Sequence, residues 1–199
     1  MASKKSKTGH IERYNAGVVF YNKKDYDKAI TEFRAALSGD SKNPKYKMAL
    51  ASCYNNRGVA KYDAKKYEQA VNDFRMAKDF EPTNNQYLQN LKLAQDSAKK
   101  SAIDKLCKNA YELYNNKKYG ESIKNLLAAL KMDQDDKELN QALAVAYNGR
   151  GVMYYSQTRF DLAEKDFAMA KGVWPHEPQY DKNLELAQKA AKTKVKKKK

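Results

Sequence analysis

The sequence predicts an all-α chain of antiparallel helix pairs, and three observations carry that prediction. First, a skeleton of small and aromatic residues recurs at fixed spacing. Gly58 is followed by Tyr67, Ala70, Phe74, Ala77 and Pro82, and Gly151 by Phe160, Ala163, Phe167, Ala170 and Pro175 at the same intervals. Gly17 leads Tyr26, Ala29, Phe33 and Ala36, and Ala110 leads Tyr119, Ser122, Leu126 and Ala129, which makes four units. Second, only four Pro and eight Gly among 199 residues leave long helices uninterrupted. Third, a shift of 93 residues lays "QYLQNLKLAQDSAKK" (86–100) on "QYDKNLELAQKAAKT" (179–193), and units one and two on units three and four. Self-similarity of this kind marks an array in which each unit covers its neighbour's apolar face.

Taken in order, residues 1–9 carry Lys4, Lys5 and Lys7 and read as a basic, disordered N-terminal tail. Residues 10–102 form a first lobe, with helix pairs at 10–43 and 51–84 and a trailing helix. Residues 103–188 form a second, with pairs at 103–136 and 144–177 and a trailing helix that caps the array; 189–199 is a Lys-rich tail. Within each pair, Gly58 or Ala110 sits where the first helix, helix A, must approach its neighbour closely. A larger side chain there overpacks the contact at about 1–3 kcal/mol. Ala70 and Ala77 give helix B the same close approach, while Tyr67 and Phe74 fill the space between layers. Pro82 and Pro175 end helix B, because the Pro ring clashes inside a helix.

This skeleton resembles the tetratricopeptide repeat (TPR) over 10–43, 51–84, 103–136 and 144–177. The resemblance implies a TPR-type α-solenoid with helix A on its concave side. The spacing departs from the roughly 34 residues usual for that family. Units one to two and three to four are offset by 41, and units two to three by 52. The excesses are close to two and five helical turns, so they predict lengthened helices rather than long loops. One such helix runs from Pro44 to about Asp63; another runs from about Thr83 towards Tyr114, continuous or broken near Ser97–Ser101.

The formal charge of +15 is concentrated at the ends, leaving about +5 on the body. No apolar run approaches the ~18 residues of a membrane span, and no apolar segment of a secretory signal follows the basic start. A cytoplasmic location, or a nuclear one in a eukaryote, is expected. Cys53 and Cys107 stand apart with no metal-ligand spacing, so no metal or cofactor is expected. His10 and His176 have no nucleophile or carboxylate at useful spacing, "GRG" (149–151) lies inside a helix, and "DQDD" (133–136) reads as a turn with an N-cap. The chain is expected not to be an enzyme.

The face of helix A turned away from helix B follows i, i+4, i+7. It reads Tyr14, Val18 and Tyr21; Asn55, Val59 and Tyr62; Cys107, Tyr111 and Tyr114; Asn148, Val152 and Tyr155. A four-fold Tyr register with Asn beside it suits a peptide groove, because Tyr offers rigid area plus a hydroxyl and Asn can pair with an extended backbone. The same ladder could instead pack under the lengthened or trailing helices, or mediate self-association. Chaperone-binding relatives grip a C-terminal carboxylate with Lys and Asn around the first Gly, an Asn in the second unit, and Lys and Arg in the third. Here Tyr14 and Val18 flank Gly17, Asn56 matches, Asp104 replaces the Lys and Lys108 the Arg, so most of the clamp is absent. Arg57 and Arg150 read as solvated or paired helix residues rather than anion ligands, and Asp73 and Asp166 as supporting helix pairing or facing solvent.

The expected function is a non-catalytic adaptor or scaffold that binds a protein or peptide in the helix-A groove. The alternatives are an electrostatic tether to RNA, ribosome or membrane surface through Lys189, Lys192, Lys194, Lys196, Lys197, Lys198 and Lys199, and a self-assembling homo-oligomer.

Overall fold

The computed structural model describes the backbone of residues 2–196 and the side chains of 9–194. All regular structure among them is helical: α1 (Ala2–Asn22), α2 (Tyr26–Gly39), α3 (Pro44–Asp63), α4 (Tyr67–Phe80), α5 (Asn85–Asn115), α6 (Tyr119–Met132), α7 (Lys137–Ser156), α8 (Phe160–Val173) and α9 (Pro178–Lys196). No helix of the described residues is long and apolar enough to cross a membrane. Contacts divide the chain into two compact units, Met1–Lys99 and Lys100–Lys199, with the boundary inside α5 rather than after residue 102. Residues 2–9, expected as a disordered tail, are instead the first turns of α1.

The lengthened helices take the form the spacing predicts. Asn43 caps α3 by accepting from the Lys45 amide at 3.1 Å, with Pro44 in the first turn, where its missing N–H costs nothing. Asp136 caps α7 by accepting from the Leu139 amide at 3.0 Å, so "DQDD" is the expected turn. Through Ser97–Ser101, α5 is unbroken. Helices α4 and α8 stop at Phe80 and Val173, two residues short of Pro82 and Pro175.

Four helix pairs close through one turn geometry. After α1, the Lys24 amide donates to the Tyr21 carbonyl and the Asp25 amide to Phe20, and the same two bonds follow α3, α5 and α7. This is a Schellman motif, whose C′ residue must be left-handed. Here the position is held by Lys24, Lys65, Lys117 and Thr158, at φ 59°, 58°, 58° and 56°. None is glycine, so each turn carries strain of about 1 kcal/mol that glycine would not.

In unit 1, α1 to α3 enclose Ala29, Ile30, Phe33, Leu50, Cys53 and Tyr54, while α4 and the first half of α5 pack Ala70, Val71 and Phe74 on Leu91, Ala94 and Ala98. In unit 2, the second half of α5 with α6 and α7 encloses Ala110, Ile123, Leu126, Leu139 and Leu143. Ala163 and Phe167 of α8 pack on Ala187 of α9. The small residue of helix A lies under the ring of helix B. A Cβ on Gly17, Gly58 or Gly151 would stand 2.6, 2.7 or 2.6 Å from Phe33, Phe74 or Phe167. The third pair resolves the same contact differently: Ala110 carries a Cβ, and Leu126 replaces the ring.

Candidate binding site

The four Tyr of the ladder share a local role set by the turn. Each ring meets the aromatic residue that starts helix B: Tyr21 on Tyr26 at 5.9 Å between centroids, Tyr62 on Tyr67 at 5.2 Å, Tyr114 on Tyr119 at 5.2 Å and Tyr155 on Phe160 at 5.1 Å. Edge and tilted contacts of this kind favour the hairpin by about 0.5–1.5 kcal/mol each. The ladder is therefore a set of hinge fasteners.

Several polar tips are also engaged within a unit. Asn56 Nδ2 donates to the Tyr21 hydroxyl at 2.7 Å, which gives this Asn a structural partner. Asn90 Nδ2 donates to Asn55 Oδ1 and Asn183 Nδ2 to Asn148 Oδ1, both at 2.7 Å, tying α3 to α5 and α7 to α9. The Tyr62 hydroxyl lies 3.0 Å from Ser97 Oγ on α5. Tyr62 and Tyr155 pack against core clusters that include the trailing helices. Tyr14, Val18 and Tyr21 pack on the α1–α3 core. Val59 and Val152 are exposed, at 39% and 51%.

Unit 2 departs from this pattern. Its α5, α6 and α7 leave a cavity of about 590 Å³, lined by Cys107, Tyr111 and Tyr114 of the expected face together with Leu126, Leu139 and Val145. That volume is within the range of ligand-holding clefts. Tyr111 is 69% exposed at this cavity. Burial, with Asp104 and Asp136 adding to it, pushes the Cys107 thiol up, and burial raises the Tyr114 hydroxyl. Both stay neutral at pH 7, so Cys107 has none of the thiolate activation of a catalytic cysteine. The charged residues of the lining are Asp104, Asp136 and Glu138. Asp136 is occupied as the α7 cap, and Asp104 and Glu138 are exposed, with no ion pair among the described residues.

The arginines within the duplicated blocks are structural. Arg57 grips Asp73 in bidentate fashion at 2.8 and 2.6 Å, and Arg150 grips Asp166 at 2.7 and 2.8 Å. Asp73 is 2% exposed and also receives Lys61 at 2.7 Å. Of the basic tail, Lys194 Nζ donates to the Thr158 carbonyl at 2.7 Å, and Lys189 lies 3.9 Å from Glu185. The side chains of Lys196, Lys197, Lys198 and Lys199 lie outside the described residues.

Antiparallel pairs with a small residue under a facing ring, repeated along a chain and joined by lengthened helices, define a helical-repeat scaffold. Residues 13–43 match the family model of the tetratricopeptide repeat, and the residue skeleton of that stretch recurs three more times along the chain. No curated protein sequence matches it. Solved structures of similar type include the TPR domain of P58(IPK), at 16% identity over 93% of this chain with a TM-score of 0.31. This chain spans 56% of that one. The C-terminal TPR-containing domain of an FK506-binding protein from Plasmodium falciparum is 20% identical over 79% of this chain and 97% of its own, with a TM-score of 0.34. The TPR2AB domain of yeast Sti1, in complex with pHSP90, is 14% identical over 96% of this chain and 87% of its own, at 0.31. Likeness at this level extends to no ligand.

Proposed function

We propose that the chain is a non-catalytic adaptor that holds a peptide or protein segment at the helix-A face of unit 2. The observation that carries this reading is the cavity at Cys107, Tyr111 and Tyr114. Elsewhere the same face spends its Tyr and Asn side chains on neighbouring helices, whereas here an exposed aromatic stands at an unfilled cleft. Rigid aromatic area beside a concave apolar floor is the composition that anchors peptides.

The cavity supplies its own reporter. The chain has two cysteines; Cys53 is fully buried and Cys107 lines the cavity. Peptides selected from a random display library against the full chain should slow maleimide labelling of Cys107. Selection that enriches no peptide, or only peptides that leave the Cys107 labelling rate unchanged, would refute the adaptor reading of this face.

A further inference from the structure

The two units are built from one pattern offset by 93 residues, so each position around the cavity has a counterpart in unit 1. There the same place is filled. Tyr14 packs on Phe33 at 5.3 Å and stacks on Tyr46 at 5.2 Å, and His10 Nδ1 lies 3.0 Å from the Tyr46 hydroxyl. Lys45 Nζ sits 4.8 Å above the Tyr14 ring, a cation–π contact that completes the cluster. At the corresponding positions unit 2 has Cys107 for Tyr14, Leu126 for Phe33, Leu139 for Tyr46 and Ile103 for His10. Three of these rings are exchanged for smaller side chains, and His10 for a branched Ile of similar size; the cavity is what remains.

The charges change along with the volume. Asp104 stands at the place of Ile11, Asp136 at that of Asn43 and Glu138 at that of Lys45. Unit 1 therefore satisfies the position internally with rings and a lysine over them. Unit 2 presents a carboxylate where that lysine stands and an apolar cleft where the rings pack.

We infer that this cavity binds a basic peptide, whose large apolar side chain enters between Cys107, Leu126 and Leu139 while a flanking Lys or Arg pairs with Asp104 and Glu138. The inference rests on the adaptor reading and deepens it by naming the ligand's chemistry. Volume complementarity sets the apolar anchor, and charge complementarity sets its neighbour. A peptide ending in acidic residues and a free carboxylate would meet like charge at the same rim. The chain's net charge of +15 by itself favours the opposite ranking, because long-range attraction draws acidic peptides. Local and global electrostatics thus make opposing predictions, and a competition between peptides separates them.

The test uses the full chain at physiological ionic strength and three pools of octapeptides. All carry Leu, Met or Phe at two central positions; the flanking positions are Lys or Arg in one pool, Glu in the second and Gln in the third. The readout is the concentration that halves the Cys107 labelling rate, which reports on this cavity and not on the tails. The basic pool should protect on the order of tenfold more effectively than the acidic one, with the Gln pool between. Asp104→Lys/Glu138→Lys, two changes at exposed positions, should invert the order. Cys107→Tyr/Leu126→Phe/Leu139→Tyr/Ala110→Gly, which restores the three unit 1 rings and the glycine beneath them, should abolish binding by fluorescence polarisation with helical circular dichroism retained.

If the acidic pool protects as well as or better than the basic pool, or all three protect equally, the adaptor reading stands and the inference falls. If no pool protects Cys107 while display-selected peptides do, the inference again falls alone. If neither protects it, both fall. Protection that grows with protein concentration in the absence of peptide would overturn the inference in favour of a second copy of the chain as the occupant.

Discussion

Gly58 and Phe74 are expected to be energetically coupled, with a magnitude that follows from their geometry. A Cβ on Gly58 would lie 2.7 Å from Phe74 Cε1 and 2.8 Å from Cδ1, roughly 0.7 Å inside ordinary contact at 3.4 Å. Phe74 is 2% exposed, so the ring cannot swing into solvent. Overpacking of this size costs about 1–3 kcal/mol, against which Ala gains about 1 kcal/mol of helix propensity over Gly. Gly58→Ala should therefore destabilise the chain by up to about 2 kcal/mol. Phe74→Leu alone leaves a void and should cost about 1–2 kcal/mol. The double variant reproduces the Ala110 and Leu126 pairing of the third repeat, where the smaller side chain leaves room for the methyl. It should be more stable than the sum of the singles by about 1–2 kcal/mol. Urea unfolding of the full chain, followed by helical circular dichroism, measures all four corners. Additivity within about 0.5 kcal/mol would refute the argument that the ring is what demands a glycine.

Other expectations are measured on the same unfolding baseline. Thr158, β-branched at φ 56°, pays for a left-handed turn that glycine adopts freely, so Thr158→Gly should stabilise by about 1 kcal/mol despite the added freedom of the unfolded chain. Asp73→Ala leaves a partly buried Arg57 and Lys61 without their shared carboxylate and should cost about 2–4 kcal/mol, whereas Arg13→Ala, at an exposed pair with Glu32, should cost under about 1 kcal/mol. Burial pushes the Cys53 thiol up to about 12. The folded state therefore keeps its proton after the unfolded chain begins to lose it near pH 8.5, so this contribution is complete below that pH and declines as pH rises towards 12. Cys53→Ala should flatten the alkaline limb of a stability–pH curve; an unchanged slope would assign that limb to other groups.

The helix pairs were legible because their signature is a packing constraint written at fixed spacing: a small residue on one helix under a ring on the next. The lengthening of α3 and α7 was legible too, since whole-turn insertions preserve the apolar face. The fate of α5 at Ser97–Ser101 was not, because neither Gly nor Pro marks that stretch and continuity depends on what packs against it. The ladder shows a different limit. Register put Tyr21, Tyr62, Tyr114 and Tyr155 at one equivalent position, but on a face turned away from helix B, whereas each ring meets the first residue of helix B. Nor does register say whether a hydroxyl meets Asn56 or Ser97 from a helix 35 residues away. Tyr111 and Tyr114 were found on that face, but the cavity beside them was not, since it arises from volume missing at positions on three helices. Subtracting one lobe from the other at the 93-residue offset would have exposed it, as side-chain volume falls at three positions and acidity appears at three.

That subtraction also bears on why the cleft should be functional and not a packing lapse. Relative to unit 1, the smaller side chains at the Tyr14, Phe33 and Tyr46 equivalents forgo apolar burial worth several kcal/mol by the usual scale of large-to-small changes. The three ring differences and the Lys/Glu difference fall around one cavity, while the hairpin fasteners Tyr114 on Tyr119 and Tyr155 on Phe160 have their counterparts in unit 1. Refilling the cavity with the unit 1 residues should consequently raise stability while removing peptide binding, the opposite movement expected of a site held open for a ligand. If refilling instead leaves stability unchanged, the neighbouring helices have already closed around the smaller residues, and the cleft has no energetic cost for a ligand to explain.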